Sequence, residues 1–314
     1  AVLEVVCSTL VEACKAGGIL QVEGDEEAVW DSMGVSVPEC LGEWARKIIL
    51  SIAQGCVDRI LGSGVRVELV NETLCVALQY ASLPPLQPKR FVSVDFGASK
   101  LAVSSYEFVH VSTGVYRLVE VATRTDVTCS MSEIEWRMMN WCEKRKPFNI
   151  SMLSSKAAVF KLRKEIRGAL KTLTVAEEAM IEADGVVEGH DLQLMLTLED
   201  FEHECMDIFN TVAALVKVIM EESASPCTEC VVIGGAMRIR RVQRLVQATV
   251  EALGAVVKKT LDMDRAVSFG AAAVAALHSP QCAVKLPLDT ETPYTELPER
   301  AAFNAPSTAA PTEP

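Results

Sequence analysis

The sequence predicts an α/β protein built as two domains or as one two-lobed domain. The chain has 314 residues, of which 50% are apolar, and this content is ample for a buried core. Short apolar runs alternate along the chain with stretches in which apolar residues recur every three or four positions. Prolines at positions 84, 85 and 88 interrupt this pattern and mark a candidate boundary between lobes.

The charge balance argues against nucleic acid or an anionic membrane surface as the main partner. The chain carries 30 basic and 42 acidic residues, a net charge of −12, and no stripe of Lys and Arg interleaves with aromatic residues. No apolar run reaches membrane-spanning length, and the chain does not open on a charged-then-apolar signal peptide. We therefore expect no membrane association; the cysteine pattern described next predicts a cytoplasmic location.

The cysteine pattern indicates a reduced interior. The chain has 11 cysteines, an odd number, scattered mostly inside apolar runs. Cys227 and Cys230 have the spacing of a metal or redox pair, but no second ligand pair with suitable spacing accompanies them. Two unrelated thiols before a strand is the favoured interpretation.

Periodicity predicts the elements before the proline cluster. A helical pattern over about 1–16 is followed by an acidic loop at 23–27 and a strand at 34–37. A second helix, with Ala45, Ile48, Ile52 and Cys56 on one face, is expected to end at Gly62 and Gly64. A strand at 65–69 and a helix beginning at Asn71 complete this part.

After the prolines, the pattern predicts a three-stranded meander, then helices, a hairpin and a final βαβα run. The strands are expected at 91–96, from 101 to beyond 103, 116–121, 180–184, 192–198, 230–233 and 256–257. The helices are expected at 132–144, 153–173, 199–222, 239–250 and 264–278. Residues 280–314 hold seven of the 13 prolines, so we expect an extended or disordered tail.

Two strand ends carry the most informative motifs. Asp95 ends an apolar strand and precedes Gly97, so its carboxylate could lie beside a metal-bound phosphate while the turn offers backbone N–H groups. Gly234 and Gly235 end a second buried strand directly before a helix, an arrangement that favours anions. Each motif alone is equally consistent with an ordinary tight turn.

A third motif lies at the start of the last predicted helix. Asp264 is predicted to be its N-cap, and the following run of small residues predicts close packing of the helix against a neighbour. A capped core helix explains these residues without any ligand.

The order and spacing of the three motifs resemble the actin-like ATPase superfamily, and in detail the nucleotide-binding domain of the heat shock protein 70 chaperones. The resemblance extends from about residue 1 to 279. It is carried by Val35–Pro38, Val70–Glu72, Arg137–Met138, Lys161–Leu173, Gly234–Ile239 and Asp264–Ala272.

The resemblance implies an α/β, actin-like ATPase (ribonuclease H-like) two-lobed fold with lobe I incomplete. It implies a partial lobe I at 1–88, lobe II at 89–260 and a C-terminal helix returning to lobe I at 261–279. It further implies an ATP-dependent chaperone domain that binds ATP or ADP with magnesium. The expected partners are a J-domain co-chaperone, a nucleotide exchange factor and, through a partner domain, unfolded proteins.

The resemblance also implies a role for individual residues. Asp95 would face the magnesium, through water, and the attacking water, and Glu72 would be a second carboxylate near the metal. Three further groups have implied roles: glycines that let the backbone approach the phosphates, residues that contact adenosine, and residues that couple the nucleotide state to a substrate domain. They are Gly97, Gly234 and Gly235 for phosphate, Arg238, Lys171 and Asp264 for adenosine, and Pro38 and Arg46 for coupling.

The sequence departs from the family at several of these positions. The turn after Asp95 lacks two of the family's glycines, its Thr and its second Asp, and Arg167 and Leu170 stand where the family has Glu and Lys. The family's first phosphate loop and catalytic lysine would lie upstream of Ala1. We therefore expect impaired nucleotide binding and hydrolysis. The alternatives are a non-catalytic scaffold or co-chaperone docking module and, on the shared turns alone, a sugar kinase.

Lys100 has two interpretations. The first is a solvated side chain at the mouth of an open cleft, as surface lysines usually are. The second is a point charge that contacts phosphate and compensates for the lysine expected upstream.

Overall fold

The computed structural model describes residues 31–83, 87–112, 115–222 and 225–279. The predicted helix at 1–16, the acidic loop at 23–27 and the tail at 280–314 lie outside the described residues. Within the described ranges, each predicted helix and strand is present, with boundaries shifted by a few residues.

The N-terminal part alternates strand and helix. It comprises β1 (Ser32–Val37), α1 (Glu43–Ile60), β2 (Arg66–Asn71) and α2 (Glu72–Ala81). β1 and β2 pair in parallel, with Val35 opposite Leu69. Gly62 and Gly64 lie directly after α1 with φ of +98° and +132°, a backbone conformation that glycine adopts without a Cβ clash.

The central part contains the meander, two helices and a hairpin. These elements are β3 (Lys89–Phe96), β4 (Leu101–Ser112), β5 (Val115–Asp126), α3 (Met131–Arg145), α4 (Lys156–Leu173), β6 (Glu178–Val187) and β7 (His190–Thr197). α4 begins later than predicted because the Ser155 side chain caps it, accepting a hydrogen bond from the Ala158 N–H.

The C-terminal part returns to the sheet. It comprises α5 (Leu198–Glu222), β8 (Glu229–Ile233), α6 (Arg240–Ala252), β9 (Val256–Lys258) and α7 (Ala266–His278), with a short 3₁₀ turn between β8 and α6. The five-stranded sheet has the order β5-β4-β3-β8-β9. β3 pairs antiparallel with β4 and in parallel with β8, so the sheet is mixed.

Both faces of the sheet are buried, which explains the near-continuous apolar character of β3 and β8. Val92, Val94 and Phe96 belong to a large core formed with α3, α4, α5, α6 and the β6–β7 hairpin. Phe91 belongs to a second core on the opposite face, formed with α2 and α7. The sheet therefore positions the ends of β3 and β8 between two helical layers.

The predicted close packing of the last helix is confirmed. A Cβ added at Gly270 of α7 would lie 2.0 Å from the Cys75 carbonyl oxygen of α2. A Cβ added at Gly34 of β1 would lie 2.1 Å from the Ala271 carbonyl oxygen. Two glycines thus allow α7 to lie directly on the backbones of β1 and α2.

The eight cysteines in the described ranges are free thiols, and all but Cys40 are buried. Burial raises the pKa of Cys230 to about 12, so this thiol stays protonated at neutral pH. The described ranges contain no group of three His, Cys, Asp or Glu side chains that could hold a metal ion. None of the helices described here has both the length and the apolar content to cross a bilayer.

Candidate functional site

The carboxyl ends of β3 and β8 bring the first two motifs together. Asp95 lies opposite Ile233 in the parallel register, one residue before Gly234. Gly234 has a φ of +90°, and a Cβ added there would lie 2.4 Å from the Phe96 carbonyl oxygen and 2.8 Å from Asp95 Oδ1. Only glycine fits beside the aspartate, as expected where two parallel strands end side by side.

The turn after Asp95 is closed by its own backbone. The Gly97 N–H donates to the Lys100 carbonyl oxygen at 3.0 Å. The carbonyl oxygens of Gly97 and Ala98 accept from Met131 and Ser132 at the start of α3, at 3.1 and 2.9 Å. In this arrangement the Gly97 N–H is used within the turn rather than directed to a phosphate.

Lys100 is buried, so the expectation of a solvated side chain is wrong. The residue is 4% exposed. Its Nζ lies 2.6 Å from Glu39 Oε2 and 2.9 Å from Glu72 Oε2. Three elements meet at this ammonium: the turn after β1, the first residue of α2 and the residue before β4. An ammonium in two ion pairs has little remaining capacity for a phosphate.

Sequence reasoning missed Glu39. This side chain is fully buried, and its second oxygen, Oε1, accepts from the Thr73 N–H in the first turn of α2 at 2.5 Å. The Glu39 carboxylate therefore stabilises the N-terminus of α2, where a negative charge is favoured. A signal existed, since Glu39 directly follows Pro38 at the carboxyl end of a parallel strand, the same kind of position that identified Asp95.

Burial and neighbouring charges shift the pKa values of this cluster in different directions. Burial raises the pKa of Asp95 to about 6; Lys100 opposes the shift, while Glu72 and Glu39 add to it. Burial also opposes ionisation of Glu39, but the charge and hydrogen bonds of Lys100 and the Thr73 N–H outweigh it and lower its pKa. Desolvation is likewise outweighed at Lys100, whose pKa is raised by Glu39 and Glu72.

The cluster does not fit a magnesium ion. Magnesium requires near-octahedral oxygen ligands at about 2.0–2.1 Å. Here the buried Lys100 ammonium lies 2.9 Å from a carboxylate oxygen of Glu72, the residue expected beside the metal, so the place of a cation next to that carboxylate is already taken. The positive charge in this cluster is supplied by the protein itself.

The residues expected around adenosine divide into a pair and a single side chain. Arg238 Nη2 lies 2.8 Å from Asp264 Oδ2, and both side chains are about half exposed or more. The predicted N-cap role of Asp264 is wrong, because α7 begins at Ala266 and the Asp264 carboxylate is directed to Arg238 instead. Gly235 lies beside this pair, since a Cβ added there would be 3.6 Å from Arg238 Nη1. Lys171 is exposed in the last turn of α4, outside the pair.

The two departures on α4 have structural roles. Arg167 binds the buried Glu135 of α3 through two hydrogen bonds, of 2.5 and 3.1 Å. Leu170 is buried in the large core. Arg167 therefore links α4 to α3, and Leu170 has an apolar packing function.

The expected coupling residues lie in one hydrogen-bond network beside the cluster. Arg46 of α1 donates to the carbonyl oxygens of Leu41 at 2.9 Å and Pro38 at 3.1 Å. Its Nη2 also donates to Asn71 Oδ1 at 2.7 Å. Arg46 thus connects α1 with the residue before Glu39 and the residue before Glu72.

A comparison with protein families identifies the family to which the chain belongs. Residues 57–292, about three quarters of the 314-residue chain, match the model of the family described as Hsp70 protein. The matched range contains Glu72, Asp95, Lys100, Gly234 and Asp264, and it begins after Pro38, Glu39 and Arg46. Domains of this family bind ATP or ADP with magnesium and have an actin-like ATPase fold, with which the mixed sheet and its two helical layers are consistent. The chain therefore belongs to the Hsp70 family.

Proposed function

We propose that this chain is an Hsp70-type nucleotide-binding domain in which ATP binding is weak and hydrolysis is lost. The observation that carries the proposal is the buried Lys100 ammonium, paired with Glu39 and Glu72 at 2.6 and 2.9 Å. Glu72 is a residue that the family resemblance assigns to the metal. Because the Lys100 ammonium lies against this carboxylate, it offsets part of the negative charge that would attract a magnesium–phosphate complex.

The neighbouring contacts support the same conclusion. Phosphoryl transfer depends on positioning and on stabilisation of charge by cations and backbone N–H groups. The Gly97 N–H donates within its own turn, and Arg238 is paired with Asp264. Because a hydrogen bond to a charged group contributes about 1.5–3 kcal/mol, the loss of several would weaken binding by orders of magnitude.

The cellular role follows by family membership. We propose that the domain works with a J-domain co-chaperone and a nucleotide exchange factor, and that it acts on unfolded proteins through a partner domain. The charge of −12 and the apolar core suit a cytoplasmic domain that contacts other proteins rather than nucleic acid.

Single-turnover hydrolysis of Mg-ATP tests the loss of catalysis. The parent chain and the Asp95→Asn variant are compared, since this substitution removes the carboxylate expected to act on the attacking water. We expect equal rates at the level of buffer alone. A parent rate above buffer that Asp95→Asn abolishes would overturn the proposal.

A non-catalytic docking module is the second candidate. The paired state of both Lys100 and Arg238 favours it, because the domain can hold its charges in place without nucleotide. Under this candidate, an isolated J-domain binds with the same affinity in buffer and in Mg-ATP. A J-domain that binds only in the presence of Mg-ATP would exclude it.

A further inference from the structure

We propose that the Lys100 ammonium is a permanent internal substitute for a bound cation, which keeps the turn after β1 and the start of α2 attached to the turn after β3 without any ligand. The inference concerns the same site as the proposed function. It predicts a conformational property, however, and holds whether or not ATP binds elsewhere in the cleft.

The geometry places Lys100 at the junction of three elements. Glu39 comes from the turn between β1 and α1, Glu72 is the first residue of α2, and Lys100 directly precedes β4. Nζ is within hydrogen-bond distance of both carboxylates. A single charged group therefore joins segments that are 61 and 28 residues away from it in sequence.

The charges around the ammonium make this arrangement hard to release. Lys100 and Glu39 are almost fully buried, and Asp95 adds a third carboxyl group close enough to interact electrostatically with the pair. Separating the ammonium from Glu39 would leave a carboxylate in a site that water does not reach, which is strongly unfavourable. The ion pair is thus stable only with the three segments together.

The network extends from this junction into α1. Glu39 accepts from the Thr73 N–H, which holds its turn against α2. Arg46 of α1 donates both to the Pro38 carbonyl oxygen and to Asn71 Oδ1. Release of Lys100 should therefore loosen the β1–α1 turn and the first turn of α2 together.

Amide hydrogen exchange of the full chain tests the inference. The parent is compared with Lys100→Met, which keeps the length of the side chain and removes its charge. We expect exchange in residues 39–42 and 72–75 to be slow in the ligand-free parent, unchanged on addition of Mg-ATP, and about tenfold faster or more in Lys100→Met. The control is Lys164→Met, an exposed lysine of α4, which should exchange like the parent.

Lys100→Met leaves the buried Glu39 carboxylate without its partner, which is strongly destabilising. The double variant Glu39→Gln/Lys100→Met therefore removes both charges together. Faster exchange confined to the two segments in the double variant supports the inference. Exchange equal to the parent in the double variant would overturn it, as would a parent whose segments become protected only when Mg-ATP is added. Tight ATP binding without any change in exchange would contradict the proposed function and leave this inference intact.

Discussion

Asp95 illustrates how the neighbours of an aspartate at the end of a strand change its chemistry. It ends β3, as a metal-facing aspartate would, but it is buried beside two other carboxylates and one ammonium. Gly234 lies so close to Asp95 that a Cβ added at Gly234 would be only 2.8 Å from Asp95 Oδ1. Burial raises its pKa to about 6, so the carboxylate is ionised at neutral pH at a cost in stability.

Replacement of Asp95 by Asn should stabilise the protein at pH 7. The folded-state pKa of about 6 lies above the ordinary value of 3.8, so between these values the folded state binds more protons than the unfolded state. Stability contributed by this group is therefore present below about pH 4 and is lost as the pH rises through 6. A shift of about two units corresponds to about 3 kcal/mol.

Urea denaturation of Asp95→Asn and of the parent at pH 4 and pH 7 measures this effect. We expect the free energies of unfolding to be similar at pH 4 and the variant to be more stable at pH 7. The exposed Asp184→Asn, at the β6–β7 hairpin, should change little at either pH. A variant less stable than the parent at pH 7 would show that the Asp95 carboxylate is favourably ionised.

At the scale of elements, periodicity and turn chemistry were sufficient to predict the described helices and strands. Alternation of Val65, Val67 and Leu69 identified β2. Gly185 and Gly189 identified the turn of the β6–β7 hairpin, where both have positive φ. The N-cap role of Asp264 was predicted wrongly, because a local pattern does not reveal that Arg238, 26 residues away, binds its carboxylate. Local sequence patterns predict helices and strands. The hydrogen-bond partners of side chains at the ends of these elements depend on residues distant in sequence, as for Arg238 and Asp264.

The same limit applies to the candidate site. The sequence identified Asp95, Glu72 and the Gly234 turn, which the structure places at the ends of adjacent elements. It did not identify Glu39, and it did not predict the burial of Lys100, because both depend on the packing of the β1–α1 turn against α2 and β4. Burial of a lysine is rare without paired carboxylates, and only the structure shows that the pair exists.

The close packing of α7 gives a prediction for that helix. Gly270→Ala should destabilise the protein by more than about 3 kcal/mol, because the new Cβ would overlap the Cys75 backbone, which cannot move without shifting α2. Gly168→Ala, in the middle of α4 with no atom within 4 Å of its added Cβ, should instead stabilise by about 0.5–1 kcal/mol.

Thermal or urea unfolding of these two variants distinguishes packing from helix propensity. The two substitutions are chemically identical and both lie in helices, so opposite signs can arise only from their surroundings. If Gly270→Ala is as stable as the parent, α7 does not lie against α2 as closely as the structure shows.

At the scale of the whole molecule, the five-stranded sheet joins two apolar cores. The larger core packs α3, α4, α5, α6 and a hairpin on one face, and the smaller core packs α2 and α7 on the other. α2 and α7 also contact the β1–β2 pair, so they connect it to the sheet. Lys100, Glu39 and Glu72 lie where the β1–β2 pair and α2 meet the five-stranded sheet. A bound cation at this position would join the same segments that Lys100 joins.

The central claim is that an internal ammonium has replaced a bound cation in an Hsp70-type domain. Isothermal titration of the intact chain with Mg-ATP tests this claim most directly. The account predicts no saturable heat at micromolar nucleotide, because the Lys100 ammonium occupies the side of Glu72 where a cation would bind and Arg238 is paired with Asp264. A dissociation constant in the micromolar range or tighter would contradict it.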